Sequence, residues 1–206
     1  MEILSLTDNL CALPGCKAQH GLSLYIKTKK HKILFDLGQD STFIRNAHML
    51  GVDIADIDTV IISHGHYDHG GGLGTFLKLN DKAKIYIKKS AFQKYYVKIG
   101  KIIPHYIGLD RKYENDPRFV FTENCTVIDE ELTVFSGVQS HAMCSRLANG
   151  SLYAKPAHRL EVDTFEHEQY LIISDYYSRA LVTGCSHKGI INILDFYSQK
   201  FGYSDR

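Results

Sequence analysis

The chain has 206 residues, and its 24 lysine and arginine residues are balanced by 23 aspartate and glutamate residues, for a formal net charge of +1. Hydrophobic and charged fractions of 44% and 23% are ordinary for a globular protein and exclude a disordered or fibrous chain. The interspersed charges argue against nucleic acid or an acidic membrane as a partner, and no apolar run approaches the roughly 20 residues of a membrane helix. The first residues lack a signal-peptide pattern, and an odd number of dispersed cysteines suits a reducing compartment. We therefore expect one cytoplasmic domain spanning residues 1–206.

Apolar periodicity predicts strands and helices in alternation along the chain. The first half indicates strands at 21–28 and 31–37 joined by a hairpin turn, a helix at 40–50, a buried strand at 58–63, a helix at 72–79, a strand at 83–89 and a helix at 90–98. Residues 99–120 are irregular, which is typical of a lid or an insertion. The second half indicates strands at 125–129, 131–138, 170–174 and 180–184, then a helix with one apolar face within 188–201. This order favours an α/β or α+β fold in which two sheets pack face to face between helices.

A cluster of metal-ligand side chains follows the predicted buried strand at 58–63. The sequence HGHYDHGGGL supplies three imidazoles and a carboxylate, namely His64, His66, Asp68 and His69. These groups are ligands that Zn²⁺, iron and manganese accept. Residues two apart on an extended segment point the same way, so His64 and His66 can bind one ion, whereas Asp68 and His69 follow the turn and can reach a second. The alternative is a polar surface loop, against which the preceding strand and the following glycines argue.

Two further pairs of residues are candidates for the same site. Cys185 and His187 lie between the strand at 180–184 and the closing helix, where the helix terminus and a nearby dication favour an ionised thiol. We expect both to bind metal, the alternative being that Cys185 is a small buried apolar residue. His105 and Tyr106 lie in the predicted lid, where they either contact a flat substrate ring or simply pack.

The H-x-H-x-D-H pattern resembles the signature of the metallo-β-lactamase superfamily, and the resemblance covers most of the chain. It implies an αββα sandwich and a metal-dependent reaction. ILFDLG at 33–38 resembles the first superfamily motif, which implies that Asp36 supports the metal ligands; a plain turn residue is its other interpretation. By position, His141 resembles the third histidine of the first metal site, with His158 and His167 as competitors.

Within the superfamily, the chain is most similar to a subgroup related to dihydropterin ribofuranosylaminobenzene 5′-phosphate synthase. The stretches that carry this resemblance are QHGLSLYI at 19–26, PHYIGLD at 104–110 and VTGCSHKGIINIL at 182–194. His20, in the first stretch, is either a substrate contact or a turn residue. Cys185 stands where most superfamily members have aspartate.

The end of the sequence departs from the pattern of this subgroup. Its members continue past the closing helix into a strand that supplies a late histidine ligand, whereas this sequence ends in FGYSDR. The resemblance therefore implies a fold shortened at the C-terminus, with a second metal site that is incomplete, completed by His187 or borrowed from another subunit. An unpaired strand edge and an uncovered helix face favour association, so we expect a homo-oligomer with the first metal site better occupied.

These features together predict a metal-dependent hydrolase or a related transferase. One or two Zn²⁺ ions, or iron or manganese in their place, would activate water against an ester, phosphoester or similar small substrate. Asp68 would hold the second ion or orient the water and accept its proton. An anionic substrate suits a dication-rich pocket. The alternative function is a non-catalytic metal- or ligand-binding protein with a degenerate site; a diiron redox protein is disfavoured because Cys185 replaces the bridging carboxylate and no flavin-binding domain is attached.

Overall fold

A computed structural model describes residues 1–98, 104–139, 151–155 and 159–202. The strands in this part of the chain are β1 (Glu2–Thr7), β2 (Ser23–Lys27), β3 (Lys32–Phe35), β4 (Thr59–Ile61), β5 (Lys84–Ile87), β6 (Lys94–Val97), β7 (His105–Tyr106), β8 (Phe119–Phe121), β9 (Cys125–Val127), β10 (Leu132–Ser136), β11 (Leu152–Lys155), β12 (Glu161–Val162), β13 (Gln169–Ser174) and β14 (Arg179–Val182). The helices are α1 (Thr42–Met49), α2 (Tyr67–Gly70), α3 (Leu73–Leu79) and α4 (Ile190–Phe201), with 3₁₀ turns at Ile54–Asp56, Lys89–Phe92 and Arg111–Tyr113. None of the described helices combines the length and the apolar character needed to cross a lipid bilayer.

Two sheets pack face to face between helices, which confirms the predicted αββα sandwich. The first has strand order β1-β2-β3-β4-β5-β8, with antiparallel pairing up to β3 and parallel pairing from β3 onward. The second is antiparallel, in the order β14-β13-β10-β9. A small antiparallel sheet of order β12-β11-β6-β7 accompanies them.

The alternation of apolar side chains along the strands explains these layers. On β3, Ile33 and Phe35 are buried between the two sheets, whereas Leu34 packs on the opposite face with Phe43 of α1 and Phe76 of α3. The second sheet alternates in the same way, contributing Leu132, Val134, Leu171 and Ile173 to the core between the sheets and Phe135, Tyr170 and Ile172 to the core beneath α4. Each of the two larger sheets therefore buries apolar side chains on both of its faces.

The predicted helix at 90–98 is wrong. A 3₁₀ turn at Lys89–Phe92 leads into β6, which pairs with β7 on one side and β11 on the other. Tyrosine and valine in KYYV suit a strand, and pairing with residues more than 50 positions away overrides the local helical pattern. Strands β1, β7, β8, β11 and β12 lie outside the segments for which the sequence predicted an element.

The parallel strands bring the motif residues to one edge of the sandwich. Asp36 follows β3 directly, and the segment from Ser63 to His66 follows its parallel neighbour β4 before α2 begins. Cys185 follows β14 in the second sheet. Because the carboxyl ends of parallel strands share an edge, residues far apart in sequence meet there.

Candidate metal centre

The structure brings the four residues of the H-x-H-x-D-H motif together with Cys185. The Nε2 atom of His64 lies 3.1 Å from Nδ1 of His66. The Nε2 atom of His69 lies 3.5 Å from a carboxylate oxygen of Asp68 and 3.1 Å from Sγ of Cys185. His64, His66 and His69 are at most 4% exposed, so their donor atoms face one another and not bulk water.

Asp36 orients His69 directly and His64 through Ser63. It is fully buried, and one of its oxygens accepts hydrogen bonds from Nδ1 of His69, at 2.6 Å, and from the Ser63 hydroxyl, at 2.7 Å. Because the Ser63 proton points to Asp36, the hydroxyl oxygen accepts from Nδ1 of His64, 2.9 Å away. Both histidines therefore carry a proton on Nδ1, which leaves Nε2 as the atom that each can offer to a cation. The left-handed φ of +62° at Asp36 marks a backbone held in an uncommon conformation at this point.

The turn after β14 carries Cys185 and His187 to the other side of the cluster. The buried carboxylate of Glu168 accepts hydrogen bonds from the backbone N–H groups of His187, at 2.7 Å, and Lys188, at 2.9 Å. The His187 ring lies 5.0 Å from the ring of His64 and stacks on Phe165 at 4.4 Å. The side chain of Glu168, the residue just before β13, therefore holds the backbone of this turn.

The donor atoms form two groups that fit metal ions and share one ligand. His64, Cys185 and His187 make up one group, and Asp68, His69 and Cys185 make up the other, each with its ligand atoms within 4.8 Å of one another. Imidazole, thiolate and carboxylate are ligands of Zn²⁺ and of iron. A tetrahedral ion with zinc–nitrogen bonds separates two ligand nitrogens by roughly 3.3 Å, close to the 3.1 Å between His64 and His66.

Charge and burial set the protonation states of these side chains. Burial lowers the pKa of His64 well below its usual range and lowers the pKa of His187 to about 3, so both rings are neutral. Burial raises the pKa of Asp68, but the hydrogen bond and charge of His69 outweigh it and lower the pKa to about 2. Asp68 is therefore an ionised carboxylate. Burial lowers the pKa of His69, but the charge and hydrogen bond of Asp36 outweigh it and raise that pKa well above its usual range, so His69 has to release its Nε2 proton in order to bind a cation.

Of the remaining predicted residues that the structure describes, His20 lies at the rim of this cluster, and His105 and Tyr106 lie away from it. His20, 69% exposed at its side chain, lies at the rim with Nε2 3.4 Å from Asp68. Tyr106 donates its hydroxyl proton to the carbonyl of Leu109, and within the described residues no contact joins it or the exposed His105 to the ligand cluster. His141 and its competitor His158 lie outside the described residues.

Sequence reasoning missed Asp163 and assigned no role to Glu168. Asp163 and His167 are buried directly behind His66, with the three groups close enough to form a further set of potential ligands. The segment EVDTFEHEQY places acidic and imidazole groups just before a predicted strand, which was the available signal. His167 was considered only as a competitor of His141.

The imidazole, carboxylate and thiol groups gathered at the strand ends of this sandwich form a candidate metal site. The chain belongs to the metallo-β-lactamase superfamily, whose family model matches residues 17–150. That membership supports a metal-dependent, hydrolase-like function.

Two curated relatives come from Methanocaldococcus jannaschii. An uncharacterized protein is 30% identical over 185 residues, which cover 87% of this chain and 67% of the relative. The 7,8-dihydropterin-6-methyl-4-(β-D-ribofuranosyl)-aminobenzene-5′-phosphate synthase is 25% identical over 193 residues, which cover 86% of this chain and 64% of that enzyme. The chain thus spans about two thirds of the length of each, and the second relative confirms the resemblance to the subgroup.

Solved structures support the same assignment. The crystal structure of Tm1679, a metal-dependent hydrolase of the β-lactamase superfamily, matches with a TM-score of 0.76 and 30% identity over 97% of this chain and 71% of its own. A quorum-quenching N-acyl homoserine lactone lactonase matches with a TM-score of 0.51 and 14% identity over 87% of this chain and 75% of its own, which shows the shared fold alone.

Proposed function

We propose that this protein is a metal-dependent hydrolase, or a closely related transferase, that acts on a small anionic ester or phosphoester. The observation that carries the proposal is the pair of ligand groups that share Cys185. A relative of 30% identity is described as a metal-dependent hydrolase, and one of 25% identity is a synthase whose name includes a 5′-phosphate. Zn²⁺ is the proposed ion, with iron or manganese as alternatives.

In such a reaction, some residues of the cluster would bind the metal and others would orient water or substrate. One or two divalent ions, held by His64, Cys185 and His187 and by Asp68, His69 and Cys185, with His66 beside His64, would supply Lewis-acid polarisation and acidify water. The Asp68 carboxylate, ionised beside His69, orients a water molecule by accepting its hydrogen bond. His20 at the rim lies where a substrate oxygen can accept its ring N–H.

A cytoplasmic location belongs to the same proposal. Cys185 has to remain a free thiol in order to bind metal, and a reducing compartment maintains free thiols. The described cysteines, Cys11, Cys16, Cys125 and Cys185, are all free.

Turnover measured on protein purified without chelator tests the hydrolase. Generic phosphodiester, thioester and lactam substrates are offered to the wild-type protein, to His66→Ala and to His48→Ala. His48 is exposed on α1 and is the matched control. We expect His66→Ala to lose activity by about 100-fold or more, because a ligand is removed, and His48→Ala to keep it. Metal binding without turnover on any substrate class would instead favour the non-catalytic alternative.

A further inference from the structure

His66 differs from the other two histidines of the motif in how its second ring nitrogen is held. His64 and His69 are anchored through Ser63 and Asp36. The Nε2 atom of His66 is buried and has no hydrogen-bond partner among the described residues. A carboxylate oxygen of Asp163 lies 3.9 Å from it.

Asp163 is itself held in a fixed orientation. One of its oxygens accepts the backbone N–H of Phe165 at 2.7 Å, and the other lies 3.1 Å from Nε2 of His167. The side chains of Asp163 and His167 are 3% and 0% exposed. A buried carboxylate in this position requires donors, and two imidazoles face the same oxygen.

The proton on His167 decides what this buried group can do. The backbone N–H of Gly65 donates to Nδ1 of His167 at 2.8 Å, so Nδ1 carries a lone pair and the proton of the neutral ring lies on Nε2. That proton is donated to Asp163. His66, Asp163 and His167 lie close enough to hold an ion, but Nε2 of His167 has no free lone pair for one. The group is therefore better suited to orienting His66 than to binding another metal.

We propose that Asp163 is a positioning residue that accepts a hydrogen bond from Nε2 of His66 and thereby directs the Nδ1 lone pair of His66 into the metal centre. The inference rests on the metal centre of the proposed function. When Nδ1 of His66 binds a cation, the proton of the neutral imidazole ring has to lie on Nε2. The acceptor that faces Nε2 is the carboxylate of Asp163. His167 supports this arrangement through both ring nitrogens. Its Nε2–H donates to Asp163, and its Nδ1 accepts the backbone N–H of Gly65, the residue between His64 and His66.

Zinc binding by Asp163→Asn tests the inference without relying on turnover. The asparagine amide has one acceptor oxygen where the carboxylate has two, so it cannot accept from Phe165 and His167 and also, in the metal-bound protein, from His66. We expect zinc affinity, measured by competition with a chromophoric chelator, to fall about 10- to 100-fold. Glu161→Gln is the matched control, because Glu161 is an exposed carboxylate two residues away on β12 and should leave the affinity unchanged.

Imidazole N–H signals in the proton NMR spectrum show whether Asp163→Asn alters the His66 ring specifically or disturbs the whole centre. In the zinc-bound wild-type protein, the Nε2–H of His66 should give a downfield signal protected from solvent exchange. Asp163→Asn should lose that signal and retain the Nδ1–H signal of His69, which Asp36 holds. Should Asp163→Asn not fold, His167→Gln replaces it and is expected to weaken both the zinc affinity and the same signal.

The outcomes distinguish this inference from the proposed function. Equal zinc affinity and an unchanged His66 signal in Asp163→Asn would overturn the inference alone. If the wild-type protein binds zinc but hydrolyses no substrate, the zinc affinities of the wild-type protein and Asp163→Asn can still be compared. That result would contradict the proposed hydrolase activity alone. A wild-type protein that binds no divalent ion would overturn both.

Discussion

Cys185 is the residue that gives this centre its particular chemistry. Its sulfur lies 3.1 Å from Nε2 of His69 and belongs to both ligand groups. In the proposed centre, a sulfur ligand shared by two ions would be softer than the carboxylate usual in the superfamily at this position, and it would favour zinc or iron over magnesium. The same sulfur is exposed, so its reactivity can be measured directly.

Alkylation of Cys185 should therefore report metal occupancy. We expect iodoacetamide to react slowly with Cys185 in zinc-bound protein and faster after a chelator removes the zinc, because a ligated thiolate is no longer a free nucleophile. Peptide mass spectrometry measures the rate at each cysteine. Cys11, exposed and outside the cluster, is the internal control and should react equally in both conditions. Equal rates at Cys185 would show that it does not bind the metal.

His31 provides a pH-dependent link on the opposite side of the molecule. Its ring nitrogens lie 2.8 Å from Asp58 and 2.7 Å from Asp129, which joins the β2–β3 turn to the β9–β10 turn. Burial lowers the pKa of His31, but the hydrogen bonds to Asp129 and Asp58 outweigh it and raise the pKa above its usual value. Protonated His31 thus stabilises the folded state fully below the unfolded-state pKa of about 6.5, and this contribution is lost as the pH rises through the folded-state pKa.

His31→Gln should accordingly lower the free energy of unfolding by about 1–2 kcal/mol at acidic pH and by less at alkaline pH. Urea unfolding of metal-free protein between about pH 5 and about pH 9 measures the difference. The exposed His48→Gln serves as the control and should show no such trend. A difference that stays constant or grows with rising pH would contradict the account of His31.

At the scale of elements, the turn between β14 and α4 depends on one buried carboxylate. Glu168 accepts hydrogen bonds from the N–H groups of His187 and Lys188 and from the hydroxyl of Tyr170, so it holds the backbone of the turn at His187. The left-handed φ of +57° at Ser186 makes this turn unfavourable in isolation. Glu168 keeps it in place together with hydrogen bonds within the turn, from the Ser186 hydroxyl to Thr183 and from the Gly189 N–H to Ser186.

Glu168→Gln should weaken the turn and the metal centre together. Loss of an acceptor from a buried network costs about 1–3 kcal/mol, and we expect thermal unfolding of the metal-free protein to show a destabilisation of that order. Zinc affinity should fall as well, because His187 is no longer held against His64. Glu161→Gln, an exposed carboxylate on β12, is the control. A variant with normal zinc affinity would show that the turn does not depend on Glu168.

The elements also show what sequence patterns can and cannot predict. Strands β2, β3, β4 and β10 and helix α4 follow from local apolar periodicity, because each buries a regular face. β6 does not, because its structure is decided by partners distant in sequence. Asp163 was missed for the same reason: its role depends on His66, which lies nearly 100 positions earlier and meets it only in the folded chain.

At the scale of the whole molecule, helix α4 presents an apolar face beside the metal centre. Ile190, Ile191 and Leu194 are 46%, 56% and 41% exposed. Such a patch favours burial against another chain. The homo-oligomer expected from the sequence stays a prediction, now with its interface placed on these residues.

Light scattering across a dilution series measures this association. We expect a dimer or larger species at high concentration, dissociating on dilution, and a monomer for Ile191→Glu because a charge in the interface is costly to bury. Val127→Glu, an exposed apolar residue on β9, is the control and should associate like the wild-type protein. A wild-type monomer at every concentration would contradict the prediction.

Metal content per chain tests the central claim most directly. Protein purified without chelator is analysed by element-resolved mass spectrometry, together with His66→Ala and His48→Ala. We predict at least one equivalent of zinc, iron or manganese per wild-type chain, retained in His48→Ala and reduced in His66→Ala. A wild-type chain that contains no transition metal and takes up none when it is supplied, or a His66→Ala variant with undiminished metal, would contradict the metal centre.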